Sequence, residues 1–160
     1  VLFDGEDDAI FVEENPLAGL DRFTVEVIFR PDPGGSAEPR FLHIGAVSKD
    51  RMMLETRNAD GRWALDSFFR HGEDYLVLLD EAQSHPLGEW AHLAVVMNRG
   101  HVKNYVNGAL ELEGMLDFAP INPVGMSIGV RMNKVHWFKG AIHSIRITPR
   151  ALQPSAFTQL

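Results

Sequence analysis

Residues 88–114, GEWAHLAVVMNRGHVKNYVNGALELEG, decide the fold. Leu93, Val95 and Met97 share one side of an extended segment, and His92, Ala94 and Val96 share the other. That pattern describes a strand covered on both faces. Asn98-Arg99-Gly100 breaks the run as a tight turn would. Val102, Asn104 and Val106 then alternate with Lys103, Tyr105 and Asn107, a returning strand. Asn107-Gly108 is the strongest short-range hairpin signal, because both central residues of a type I′ turn need positive φ. Leu110 and Leu112, set against Ala109, Glu111 and Glu113, make a third strand with one wet face. Successive antiparallel strands of this kind predict an all-β chain.

The same alternation runs outward in both directions. Leu2, Phe3, Ile10 and Val12 flank the acidic Asp4-Gly5-Glu6-Asp7-Asp8, which predicts strand, turn and strand. Residues 15–21 read as a loop. Phe23, Val25, Val27 and Phe29 alternate with Thr24, Glu26, Ile28 and Arg30, a half-buried strand closed by Pro31. PDPGGSAEP over 31–39 is the most loop-like stretch, too short for a domain linker. Residues 41–46 form a strand. A hairpin follows, its arms carrying Met53, Glu55 and Arg57, then Trp63, Leu65, Ser67 and Phe69, turned at Asn58-Ala59-Asp60-Gly61. Tyr75, Val77 and Leu79 mark a strand, and 80–87 a polar loop. After the interruption from Pro120 to Pro123, Met126, Ile128 and Val130 form a strand. The last strand covers 141–148, and a slip of apolar parity between Ile142 and Ile145/Ile147 predicts a bulge. Residues 152–160 have room for one helical turn. Short strands at regular spacing with Gly and Pro punctuation predict an antiparallel two-sheet sandwich or jelly roll, one domain over 1–160.

Composition narrows the partners. A chain of 160 residues hides roughly 70% of its unfolded surface, enough for a core without staples. A net charge of -7 argues against nucleic acid and against an anionic membrane surface. With no cysteine there is no disulfide, thiol nucleophile or cysteine zinc site. No apolar run approaches the ~20 residues that span a bilayer, so membrane insertion is not expected. The chain starts at Val1 without a signal-like segment, which reads as a processed or excised piece.

Seven stretches together resemble the laminin-G-like branch of the concanavalin A-like lectin/glucanase superfamily. They are Leu2-Phe3-Asp4-Gly5 with Asp8 and Ile10, Phe23-Thr24-Val25-Glu26, Glu89-Trp90-Ala91-His92-Leu93-Ala94, Tyr105-Val106-Asn107-Gly108, Ile128-Gly129-Val130-Arg131, Phe138-Lys139-Gly140-Ala141-Ile142, and Arg146-Ile147-Thr148-Pro149-Arg150-Ala151-Leu152. The resemblance runs from residue 1 to about 153 and implies a jelly roll of two curved antiparallel sheets. It implies a recognition module of an extracellular, periplasmic or cell-surface protein, with a glycan or protein as partner and, in some members, calcium. Trp90, Gly108, Gly129, Gly140 and Leu152 carry over as structural positions. None carries over as catalytic.

Glycosidases of this fold resemble one another in a strand motif E-x-D-x-x-E, because retaining chemistry needs two carboxylates on one face ~5–5.5 Å apart. That motif is absent here. Glu26, Glu55 and Asp66 each stand on a strand among apolar neighbours. Glu55 and Asp66 share one hairpin, so a cross-strand pair is open to them, against solvated or arginine-paired residues with Arg57 or Arg30 in reach. The expectation is a non-enzyme. A divergent hydrolase or lyase is the alternative, as is a purely structural or protein-interaction domain.

Asp4, Glu6, Asp7 and Asp8 place four carboxylates in one turn, a donor set suited to Ca²⁺ or simply to solvent. No pair of histidines has zinc-ligand spacing; His43, His92 and His143 read as hydrogen-bonded within the sandwich. A glycan site needs a ring to stack on a sugar face and polar groups for its hydroxyls. Trp137 beside Arg131, Asn133 and His136 is one candidate platform, unless it covers the end of the core. Trp63 with Asp66 and Arg70 (and His71 nearby) is a second, open to either role. Phe68, Phe69 and Tyr75 stand behind them.

Overall fold

The computed structural model of the chain describes residues 1–122 and 124–160. Pro123, the end of the expected interruption, lies outside them. Twelve strands form among the described residues: β1 (Leu2–Asp4), β2 (Ile10–Val12), β3 (Arg22–Pro31), β4 (Arg40–Gly45), β5 (Arg51–Ala59), β6 (Arg62–His71), β7 (Asp74–Pro86), β8 (Ala91–Asn98), β9 (His101–Val106), β10 (Ala109–Met115), β11 (Met126–Ile128) and β12 (Lys139–Thr148). One 3₁₀ turn follows at Pro154–Ala156. The first sheet runs β1-β12-β3-β8-β9-β10 and the second β2-β11-β4-β5-β6-β7. Every ladder is antiparallel. This is the expected all-β jelly-roll sandwich.

Turn chemistry sets the registers. Arg99-Gly100 and Asn107-Gly108 take φ of 51°, 89°, 50° and 81°, the positive values a two-residue hairpin turn needs. Asp60-Gly61 does the same at the tip of β5–β6, where φ is 51° and 74° and Ala59 faces Arg62. The slip in β12 is present as a register shift between Ile142 and Ser144.

Inward-facing side chains of both sheets make one core. Phe29 lies at its centre, stacked on Phe41 at 4.8 Å and edge-on to Trp63 at 5.0 Å. Phe138 closes the cluster from the other side, 5.8 Å from Phe41 and 6.3 Å from Phe29.

Four expectations change on folding. Residues 80–87 are not simply a polar loop, because β7 continues to Pro86. A register shift between Ala64 and Asp66 of β6 lets it resume pairing after an outward excursion. The strand β3 is covered on both faces rather than half-buried. Its outer face is sealed by the C-terminal segment, whose Leu152 and Phe157 pack on Ala94, Val96 and Tyr105. Thr24 Oγ1 donates to Arg150 C=O at 2.9 Å and accepts from Leu152 N–H at 2.9 Å. Glu26 Oε1 accepts from Thr158 N–H at 2.6 Å and from His92 Nε2 at 3.1 Å. Trp90 does not pack into the core either. Ala91 takes the inward position opposite Phe29, so Trp90 stays outside at 44% exposure, with Arg30 5.5 Å from its ring centroid and His143 edge-on at 6.3 Å. His143 is correspondingly exposed, not bonded within the sandwich.

Candidate functional site

With the first sheet sealed, the outer face of the second sheet is where polar side chains collect. Register places them in rows across the strands. Arg40, Glu55, Asp66 and Leu79 form one row. His43, Met53, Phe68 and Val77 form the next. Gly45, Arg51, Arg70 and Tyr75 form the third. The alternate residues of the same strands, Met52, Leu54, Leu65 and Phe69, fill the core.

The first row is an ion cluster at the floor of the face. Arg57 Nη2 is 2.6 Å from Asp66 Oδ2, and Arg57 Nη1 is 3.6 Å from Glu55 Oε2. Arg40 Nε lies 2.9 Å from the same Glu55 oxygen. That contact is an ion pair by distance but is poorly aligned, so both atoms stay buried without a hydrogen-bond partner. Burial pushes the Glu55 carboxyl up to about 7, against the pull of Arg40 and the added push of Asp66. Burial raises Asp66 as well, opposed by Arg57 and Arg40. Such values mark a functional carboxylate only where it can reach a ligand. Both residues are 2% exposed and roofed by guanidinium groups, so the pair reads as structural.

A loop brings further groups to the margin. Gly129 ends β11: its φ is +87° and a Cβ there would lie 2.3 Å from the Phe3 ring. The chain then turns over β4. Met132 N–H donates to His43 Nδ1 at 3.3 Å, while His43 Nε2 contacts Ala46 C=O at 3.1 Å. Those two partners define a neutral tautomer with the proton on Nε2, and burial holds the ring down to about 4. Arg131 Nη2 donates to Val47 C=O at 3.1 Å, and His136 C=O accepts from Arg40 N–H at 2.9 Å.

The aromatic part of the face is a ladder. The Arg51 guanidinium sits 4.6 Å from the Phe68 ring centroid. Phe68 stacks on Tyr75 with centroids 6.2 Å apart and planes 13° from parallel. Tyr75 is 67% exposed. Beyond the ion cluster, at the tip of β5–β6, an open cleft of ≈ 360 Å³ is lined by Glu38, Arg57, Asp60, Arg62, Glu81 and Ser84.

Folding therefore brings Asp66, Arg70, Arg131 and His136 toward one face. Trp63 is excluded: it is 1% exposed, lies against Phe29 and the His85 ring, and offers no surface to a sugar. Its parity with Leu65 and Phe69 on β6 was the available signal. Asn133 and His136 are exposed, and Trp137 is half-buried between His136 and the core residue Phe138. Arg51 and Arg40 were not singled out beforehand, although Arg51 shares the parity of Glu55 and Arg57. In the acidic turn, Asp4, Asp7 and Asp8 bring carboxylate oxygens within 4.8 Å of one another, but Glu6 does not join them. Asp4 Oδ1 accepts from the Glu6 and Asp7 N–H groups at 2.8 and 3.1 Å, and those bonds lower its pKa.

An antiparallel jelly roll of two six-stranded sheets defines the lectin-like sandwich class. The chain belongs to the concanavalin A-like lectin/glucanases superfamily, whose family profile matches residues 4–156. No curated protein matches the sequence. Among solved structures it is similar to the native heptameric SAP-like pentraxin of Limulus polyphemus, at TM-score 0.73 and 16% identity, covering 96% of this chain and 76% of that one. Domain 4 of the extracellular arabinanase AbnA of Geobacillus stearothermophilus, in complex with arabinotriose, matches at TM-score 0.72 and 23% identity, over 96% and 72%. The CBM40 of a Ruminococcus gnavus IT-sialidase, bound to α2,3-sialyllactose, matches at 0.66 and 15%, over 93% and 94%. At these identities the likeness is one of fold. No helix among the described residues is long and apolar enough to cross a membrane.

Proposed function

We propose that this domain is a non-catalytic glycan-recognition module of an exported or cell-surface protein, and that its binding face is the outer face of the second sheet. One observation carries the reading: the exposed Tyr75 ring, backed by Phe68, stands at the β6–β7 margin of that face, where side chains stay accessible, beside arginines held by backbone carbonyls. A ring supplies the stacking surface, and pre-oriented polar groups supply hydroxyl contacts at low entropic cost. The structural neighbours that hold arabinotriose and sialyllactose support a carbohydrate ligand. Burial of Glu55 and Asp66 beneath Arg40 and Arg57 supports binding over hydrolysis, since neither acid reaches a scissile bond. A glycan array read with the wild-type domain and with Tyr75→Ala tests this. Binding lost in the variant supports it; an array empty with the wild type refutes it.

A second reading rests on a different surface. An apolar groove of ≈ 370 Å³, lined by Val1, Phe3, Ile10, Ile142, Ile145 and Ile147, runs between the sheet edges and suits a protein neighbour. Separately, Asp4, Asp7 and Asp8 are a hard-oxygen donor set of the kind Ca²⁺ takes, with backbone carbonyls to complete the shell. That ion would brace the β1–β2 turn.

A further inference from the structure

From the arrangement of Arg51, Arg70 and Arg131 we infer that the glycan is acidic, and that these three guanidinium groups take its carboxylate or sulfate; this rests on the glycan reading of the face. Arg51 and Arg70 are directly opposite on β5 and β6, a like-charge cross-strand pair that costs stability when left alone. Arg131 joins them from the loop after β11. Each guanidinium is held by one neutral backbone carbonyl: Arg51 Nη1 donates to Lys49 C=O at 2.8 Å, Arg70 Nε to Gly72 C=O at 2.9 Å, and Arg131 Nη2 to Val47 C=O at 3.1 Å. Orientation is therefore provided while charge is not neutralised. The one carboxylate within ion-pair reach of the three, among the described residues, is the exposed Glu73, 3.8 Å from Arg70.

Contrast sharpens the point. Arg40 and Arg57, further along the same face, each contact the buried Glu55, and Arg57 contacts Asp66. Arg51 is 8% exposed, and its Nε has no hydrogen-bond partner, nor has the buried Nε of Arg131. A buried donor left unpaired destabilises the fold, more so when it is charged. An oxyanion that approaches the three guanidinium groups from the solvent side relieves their mutual repulsion. Burial first, then the charges of Arg131 and Arg70, depress the Arg51 pKa below its usual range. Arg51 also stacks on Phe68, so the arginine cluster adjoins the Phe68–Tyr75 ladder. A sugar ring on Tyr75 then carries its acidic substituent toward the arginines. Overall charge cannot substitute for this site, because 22 acidic residues outnumber 15 basic ones and the chain as a whole repels polyanions.

The test uses the intact domain in titration calorimetry with four probes: polygalacturonate, dextran sulfate, uncharged dextran and polyglutamate. We expect polygalacturonate or dextran sulfate to bind, the better of the two identifying carboxylate or sulfate, with affinity falling as salt rises. Arg51→Gln should weaken that binding about tenfold or more. Should Arg51→Gln fail to fold, Arg70→Gln, at a more exposed position, should show the same loss. Arg22→Gln, on the first sheet, should leave binding unchanged. Loss in Arg22→Gln equal to that in Arg70→Gln would overturn the site as diffuse electrostatics. Dextran, or neutral glycans on the array, bound in a Tyr75-dependent way while both acidic glycans are ignored would overturn the acidic ligand and leave glycan recognition standing. Binding of polyglutamate alone would overturn both.

Discussion

Glu55 and Asp66 stand directly opposite each other on β5 and β6, and the single guanidinium of Arg57 reaches both, at 3.6 and 2.6 Å. Two buried carboxylates in register are tolerable only because of that bridge and of Arg40 beside it. The relationship makes the pair a charge-balanced floor beneath the face.

Removing the bridge is therefore costly. Arg57→Leu leaves two acids buried without their shared partner and should destabilise the domain by about 3–5 kcal/mol. Urea denaturation at neutral pH measures this; a loss below about 1 kcal/mol, the size of an exposed pair, would contradict the description.

Protonation gives a second handle. The Glu55 carboxyl holds its proton up to about 7 against an ordinary 4.5, so its contribution is present below 4.5 and is lost as pH rises toward 7. His43 titrates near 4 against 6.5, so its contribution is present above 6.5 and is lost as pH falls toward 4. The two oppose each other between 4.5 and 6.5. Glu55→Gln should unmask the His43 slope, with stability rising as pH increases by up to ~1.4 kcal/mol per pH unit. Parallel curves for wild type and variant would reject the assignment.

Three aromatic residues should separate cleanly. Trp63→Ala empties the centre of the core and should cost about 3–5 kcal/mol. Tyr75→Ala, on the open face, should stay within about 0.5 kcal/mol of wild type yet lose glycan binding. Trp137→Ala should weaken binding less than Tyr75→Ala while remaining folded. Thermal melts with the array measure all three; a Trp137 variant that binds as wild type removes that residue from the face.

Calcium is checked by melting the domain in excess Ca²⁺ and in chelator. Ca²⁺ should raise Tm through Asp4, Asp7 and Asp8, and Asp7→Asn should abolish the difference. Superimposable wild-type melts would dispose of the ion.

Strands and turns were legible because their causes are local. Period-two alternation from Leu93 to Met97 and positive φ at Asn107-Gly108 act within a few residues, and the bulge in β12 shows as a parity slip. The inward side of Trp63 was legible too, through Leu65 and Phe69. Its neighbours Asp66 and Arg70 lie on the opposite side of β6, so nearness along the chain is not nearness in space.

Tertiary structure alone decided which sheet face the C-terminal segment covers. That choice depends on Leu152 and Phe157 returning over Ala94, Val96 and Tyr105, a contact between segments far apart in sequence. It also decided which charges are matched. Arg40 and Arg57 meet Glu55, whereas Arg51, Arg70 and Arg131 converge from two strands and a loop and, among the described residues, have no buried acid within ion-pair distance. Alternation assigns each residue a side of its own strand; only the pairing of strands and the path of the loops determine what stands across from it.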